Sequence, residues 1–118
     1  MHNFKELKVW QESMALAKEV YIATKTFPSE EKFGIISQLN RCSISIPSNI
    51  AEGAGRNSEK EFNHFWAIAL GSCFELETQL LLSNEFNYIT KEQTQLLTER
   101  VSTVQKMLNG LKKSIYQS

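Results

Sequence analysis

The side chains best suited to chemistry are Glu52 and Glu75, the interior histidine His64, the hydroxyls of Ser45, Ser48 and Ser72, and the thiols of Cys42 and Cys73. Glu52 and Glu75 are the acid–base candidates. Paired carboxylates must flank one bond at about 5–10 Å, and these two fall far apart along the helices their sequence context predicts. His64 fits either a general base or a surface histidine. The three serines stand in no Ser-His-acid arrangement. No inward Glu-x-x-His pair of the kind that builds a di-iron bundle is present. The Gly53-Ala54-Gly55 run has a Gly-x-Gly look, but it follows a helical pattern and reads as a helix stop rather than a phosphate loop. Cys42 and Cys73 sit on apolar stripes, Leu39–Cys42–Ile46 and Ala69–Cys73–Leu76, and read as small core residues. No catalytic, cofactor-binding or metal-binding residue is assigned.

The polar residues with the most organised spacing are Gln38, Arg41, Ser45, Ser48, Asn49 and Glu52. Steps of three and four place them on one helix face. That face lies beside an apolar one made by Ile35, Leu39, Cys42, Ile46 and Ile50. Pro47 interrupts the pattern. A proline inside a helix removes a backbone hydrogen bond and costs about 3 kcal/mol, so a bend is expected there. Ser72, Glu75 and Gln79 share a face of the following helix. A hairpin turning at Ala54–Asn57 would bring Arg41 near Ser72 and Glu75, Ser45 near Ile68 and Ala69, and Asn49 near His64 and Phe65. Three arrangements suit the set Arg41, Ser45, Asn49, Glu52, Ser72 and Glu75. It is a half-buried network with an Arg41–Glu75 ion pair, a subunit boundary, or a ligand site. The first predicts that Arg41→Ala destabilises the fold or assembly more than loss of any exposed lysine.

Four helical segments carry these residues. The first runs from about Phe4 to Thr26, with Leu7, Trp10, Met14, Ala17 and Tyr21 as its apolar stripe and Val20 and Thr24 beside it, and ends at Phe27-Pro28. The second starts near Ser29, whose following Glu30 and Glu31 suit a helix N-terminus, and runs to about Glu52. The third opens on the capping box Ser58-Glu59-Lys60-Glu61. Its core stripe is Phe62, Phe65, Trp66, Ala69, Cys73, Leu76 and Leu80, and it fades between Asn84 and Tyr88. The fourth opens on Thr90-Lys91-Glu92-Gln93 and carries Leu97, Val101, Val104, Leu108, Leu111 and Ile115 at coiled-coil-like spacing. Short loops make sequential helices antiparallel. The expected fold is an all-α, up-down-up-down four-helix bundle with a proline-kinked second helix, formed as one domain over residues 1–118.

The 118 residues are 42% hydrophobic, with 13 Lys plus Arg balancing 13 Asp plus Glu. The hydrophobic share supports a packed core rather than disorder. Every acid is Glu, which suits helix interiors better than Asp. The zero net charge argues against a generic nucleic-acid binder but leaves room for local patches. Lys18 and Lys25 share a side of the first helix, Lys106 and Lys113 a side of the fourth, and Arg56 and Lys60 flank the hairpin turn. These six are the candidate nucleic-acid contacts, and they are interleaved with Glu6, Glu12, Glu19, Glu92 and Glu99. No stretch has signal-peptide or membrane-spanning character, so a cytoplasmic protein with reduced thiols and no membrane partner is expected.

The run SIPSNIAEGAGR, preceded by FPSEEKFGIISQLNRCS and followed by IALGSCFELETQL, resembles the four-helix bundle protein family, also known as the 23S rRNA intervening-sequence protein family. The likeness extends from FKELKVWQESMAL to KMLNGL. It is also similar to the accessory variability protein of diversity-generating retroelements, which binds nucleic acid and a reverse transcriptase. The resemblance implies a ring-like homo-oligomer, a pentamer, with no enzymatic activity. A ring would gather several weak basic patches into one stronger surface. Residues and resemblance together lead to a non-enzymatic homo-oligomeric bundle that binds or scaffolds RNA or an RNA-associated partner. The alternative is a protein-interaction or structural module without nucleic-acid contact.

Overall fold

A computed structural model describes the backbone of residues 3–116 and the side chains of residues 3–110. Among the described residues all regular structure is helical: α1 (Lys8–Thr24), α2 (Ile35–Ala54), α3 (Glu59–Glu85) and α4 (Lys91–Tyr116), with 3-10 turns at Phe4–Glu6 and Ser29–Glu31. Helix α1 packs on α2, α2 on α3, α3 on α4, and α4 back on α1. The four enclose one core that includes Leu16, Val20, Leu39, Ile46, Ile50, Phe62, Trp66, Leu76, Leu80, Val101, Val104 and Leu108. Leu111, Ile115 and the candidate contact Lys113 lie outside the residues whose side chains are described.

The helix boundaries follow local chemistry, with two corrections. Leu7, in extended conformation, separates the first 3-10 turn from α1, so the first helix begins at Lys8 rather than Phe4. The second begins at Ile35 rather than near Ser29, because Gly34 takes a non-helical conformation. Glu31 folds against Gly34, where an added Cβ would lie 2.6 Å from Glu31 Oε1. The Tyr88 hydroxyl donates to Glu31 Oε2 at 2.7 Å. That hydrogen bond pushes the phenol pKa up and ties the α1–α2 connection to the α3–α4 loop.

Helix starts at α3 and α4 match the expected caps. Ser58 Oγ accepts the Glu61 N–H at 3.1 Å. Thr90 Oγ1 accepts the Gln93 N–H at 3.1 Å, while Gln93 Oε1 accepts the Thr90 N–H at 3.2 Å, a reciprocal capping box. Helix α3 ends in a Schellman turn. Asn87 has φ 65°, the Tyr88 N–H donates to Ser83 O and the Asn87 N–H to Asn84 O, each at 2.9 Å. Asn occupies the left-handed position that such a turn requires.

Helix α2 continues across Pro47 as one assigned helix, short of the backbone donor that proline lacks. It ends at Gly55, as the Gly53-Ala54-Gly55 run suggests, but continues through Gly53 to Ala54, so the stop is not at Gly53. Its function is close approach. A Cβ there would lie 2.9 Å from Trp66 Cε3 and 3.1 Å from Phe65 Cβ.

The core stripe of α1 is Val9, Ser13, Leu16, Val20 and Thr24, one position away from the stripe its apolar residues suggest. Ser13 and Thr24 are tolerated there because their hydroxyls donate to Trp10 O (2.8 Å) and Tyr21 O (2.9 Å) of their own helix. Met14 and Tyr21 are displaced onto the surface, 46% and 57% exposed. Among the described residues, α3 alone is long and apolar enough to cross a membrane, with a mean hydropathy of 1.2. Here Phe62, Trp66, Leu76 and Leu80 of that helix fill the bundle core.

Candidate functional site: a polar cleft and an apolar groove on either side of α2

The α2–α3 seam sets the geometry of the polar cleft. Contacts across it pair Gln38 with Gln79, Cys42 and Ser45 with Ser72, and Gly53 with Trp66. The resulting cleft, about 400 Å³, is lined by Gln38, Arg41, Cys42, Ser45, Ser72 and Glu75. Four of the six predicted site residues therefore share one space. Ser45 Oγ and Ser72 Oγ are 2.9 Å apart. Asn49 joins them from one turn away, its Nδ2 donating to Ser45 Oγ at 3.0 Å and to Ser45 O at 2.8 Å. Asn49 thus serves the serine pair rather than reaching toward His64 or Phe65, and Ser45 meets Ser72, one turn from Ile68 and Ala69. The Cys42 thiol donates to Ser72 O at 3.0 Å. Gln79 Nε2 donates to Glu75 Oε1 at 3.3 Å.

The expected Arg41–Glu75 ion pair is absent among the described residues, where the two salt bridges are Arg56–Glu52 and Arg100–Glu19. Arg41 and Glu75 are both exposed at the cleft mouth, where water solvates each charge and pairing gains little. The buried part of the network is carried by hydroxyls and amides instead. Glu52 is not in the cleft. It pairs with Arg56 at 3.0 Å, about 16 Å along the helix from Arg41 at 1.5 Å per residue. Glu52 and Glu75 therefore cannot act on one bond.

Neither thiol is activated. Burial, followed by the Glu75 charge, pushes the Cys42 pKa up to about 12. Burial, followed by Cys42 and Glu77, does the same for Cys73. Both stay protonated and weakly nucleophilic at neutral pH. His64 is exposed and stands edge-on to the Phe65 ring at 5.1 Å. Among the described residues no cluster of three or more His, Cys, Asp or Glu side chains is placed to hold a metal ion.

The candidate nucleic-acid contacts lie on separate elements. Lys18 and Lys25 are exposed on α1, with Lys25 Nζ 5.1 Å from the centre of the Tyr21 ring. Lys60 and Lys106 are exposed on α3 and α4. Arg56 is partly occupied, paired with Glu52 and lying over Phe65 with its guanidinium 4.8 Å from the ring centre.

On the other side of α2 lies a feature that sequence reasoning missed. An apolar groove of about 540 Å³ runs between α1 and α2, walled by Trp10, Met14, Ala17, Tyr21, Ile44 and Pro47, with Lys18 on its rim. The available signal was that α1 has two apolar stripes. One bundle core can bury only one of them.

The sequence profile described as "23S rRNA-intervening sequence protein" matches residues 5–110. Among solved structures, a protein of unknown function from the S23 ribosomal protein family of Bacteroides thetaiotaomicron superimposes with a TM-score of 0.82. It is 29% identical, and the match covers 89% of this chain and 95% of that one. No curated protein matches this chain.

Proposed function

This chain belongs to the 23S rRNA-intervening sequence protein family, and from that premise we propose that it is a non-enzymatic, cytoplasmic, homo-oligomeric helical scaffold that binds RNA. The family match is the observation that carries the reading. The surface chemistry is compatible with it. Lys18, Lys25, Lys60 and Lys106 are exposed and outside any described ion pair, so each is available to a phosphate. Four cations on separate helices of a chain of zero net charge offer only weak binding in one protomer. Repeated around a ring, a pentamer as the family resemblance implies, they would act together. The polar cleft then has a structural task, fixing α2 against α3 through buried hydroxyls rather than turning over a substrate.

Binding of a fluorescent single-stranded RNA, measured by anisotropy against salt, tests this reading. Affinity should fall as salt rises, by a log–log slope of about 0.7 per phosphate contact. Replacing Lys60 and Lys106 with glutamine should weaken binding and flatten that slope by about 1.4. No binding at low salt would refute the RNA reading. The second reading, a protein-interaction module, is favoured by Met14, Tyr21 and Ile44, which are exposed and line one groove, since contiguous exposed apolar side chains mark protein contacts.

A further inference from the structure

Two exposed apolar features of this chain carry opposite charges at their margins. One is concave, the α1–α2 groove, whose walls include Met14 (46% exposed), Tyr21 (57%) and Ile44 (56%). The other is convex. Phe33, in the turn immediately before α2, is 90% exposed, and its described ring contact is the ammonium of the adjacent Lys32, 5.6 Å from the ring centre. Leaving a phenylalanine almost wholly in water forgoes about 1.5–3 kcal/mol of burial.

The charges around the two features are opposite. On α1, the exposed Lys18 lines the groove and the exposed Lys25 follows one turn after its wall residue Tyr21. Beside Phe33 stand Glu30 and Glu31 against the single Lys32. Packing two grooves face to face about a twofold axis would bring the Lys18 and Lys25 charges of the two copies together, and juxtaposed like charges are costly. A head-to-tail contact brings opposite charges together instead.

We propose that the α1–α2 groove is the seat for the Phe33-bearing turn of a second copy of this chain. Each copy offers a groove to one neighbour and a knob to the other. Such heterologous contacts close into a ring when the rotation between copies permits. This inference rests on the homo-oligomeric part of the proposed function and names the surfaces that would build the assembly.

The test uses the full chain and two single variants, Phe33→Glu and Ile44→Glu, with mass measured by light scattering after size exclusion. Both positions are exposed, so each variant should keep the wild-type circular dichroism. The wild type should be oligomeric and each variant alone monomeric. An equimolar mixture should form a species of twice the protomer mass and nothing larger, because one intact knob and one intact groove remain in each mixed pair. A wild-type oligomer whose variants keep their mass, or whose mixed variants stay monomeric, would overturn this inference and leave the homo-oligomeric reading standing. A monomeric wild type would overturn both.

Discussion

Gly53→Ala is the sharpest test of the α2–α3 seam. In an ordinary helix interior this change stabilises by about 1 kcal/mol, because alanine loses less backbone entropy. At Gly53 the new methyl carbon would sit 2.9 Å from Trp66 Cε3, 3.2 Å from Cζ3 and 3.1 Å from Phe65 Cβ. Trp66 cannot easily retreat. It is 2% exposed, stacked on Phe62 with ring centres 4.2 Å apart, and its Nε1–H donates to Leu108 O at 3.3 Å. Overpacking at such a site costs about 1–3 kcal/mol, and two crowded neighbours place this case toward the upper end. The net expectation is a loss of about 1–2 kcal/mol. Gly71→Ala is the internal control. No atom lies within 4 Å of its added Cβ, so it should gain the full helical benefit of about 1 kcal/mol. Urea unfolding of both variants at one protein concentration should separate them by about 2–3 kcal/mol, with unchanged slopes. A Gly53→Ala variant as stable as wild type would refute the claim that close backbone approach at this point locks the register of the cleft.

The remaining predictions address the cleft and its thiols. Arg41→Ala should change the stability of the folded protomer by no more than about 0.5 kcal/mol, since the side chain is exposed and unpaired. Ser72→Ala should cost about 1 kcal/mol, because a hydroxyl 8% exposed loses its bond to Ser45. Denaturation curves of the two variants measured together would decide the order. Cys42 and Cys73 should resist alkylation at pH 8 in the native protein and react fully in denaturant. Their folded pKa values lie above the ordinary 9.0, so the folded state binds more protons between about pH 9 and pH 12. Stability should therefore be intact below pH 9 and fall as pH rises through that window, by less in a Cys42→Ala variant.

Much of the fold was legible because several independent signals agreed. The α3 and α4 caps were written in Ser58 and Thr90, and the spacing of Leu97, Val101, Val104 and Leu108 placed the core face of α4 correctly. Helix α1 misled because Ser13 and Thr24 interrupt its true core stripe, while the more continuous Trp10–Met14–Ala17–Tyr21 stripe faces outward. Local hydroxyl-to-carbonyl bonds, invisible to a hydropathy pattern, make the polar residues acceptable inside. Gly53 misled for a related reason. A glycine near a helix end suggests termination, and only the facing Trp66 reveals a steric need. At the cleft, helix spacing brought Arg41 to Ser72 and Glu75 but set Ser45 one turn off, at Ile68 and Ala69 rather than at Ser72. It could not tell that Arg41 and Glu75 stop at the mouth, because pairing depends on side-chain exposure, which periodicity does not report.

RNA binding by a homo-oligomeric bundle is the proposed function. Light scattering of the full chain at low and moderate salt, with and without a mixed RNA pool, tests it most directly. The account predicts a stable oligomer whose mass rises with RNA at low salt and returns to the protein-only value as salt is added. A monomer, or an oligomer whose mass is indifferent to RNA at every salt concentration, would contradict it.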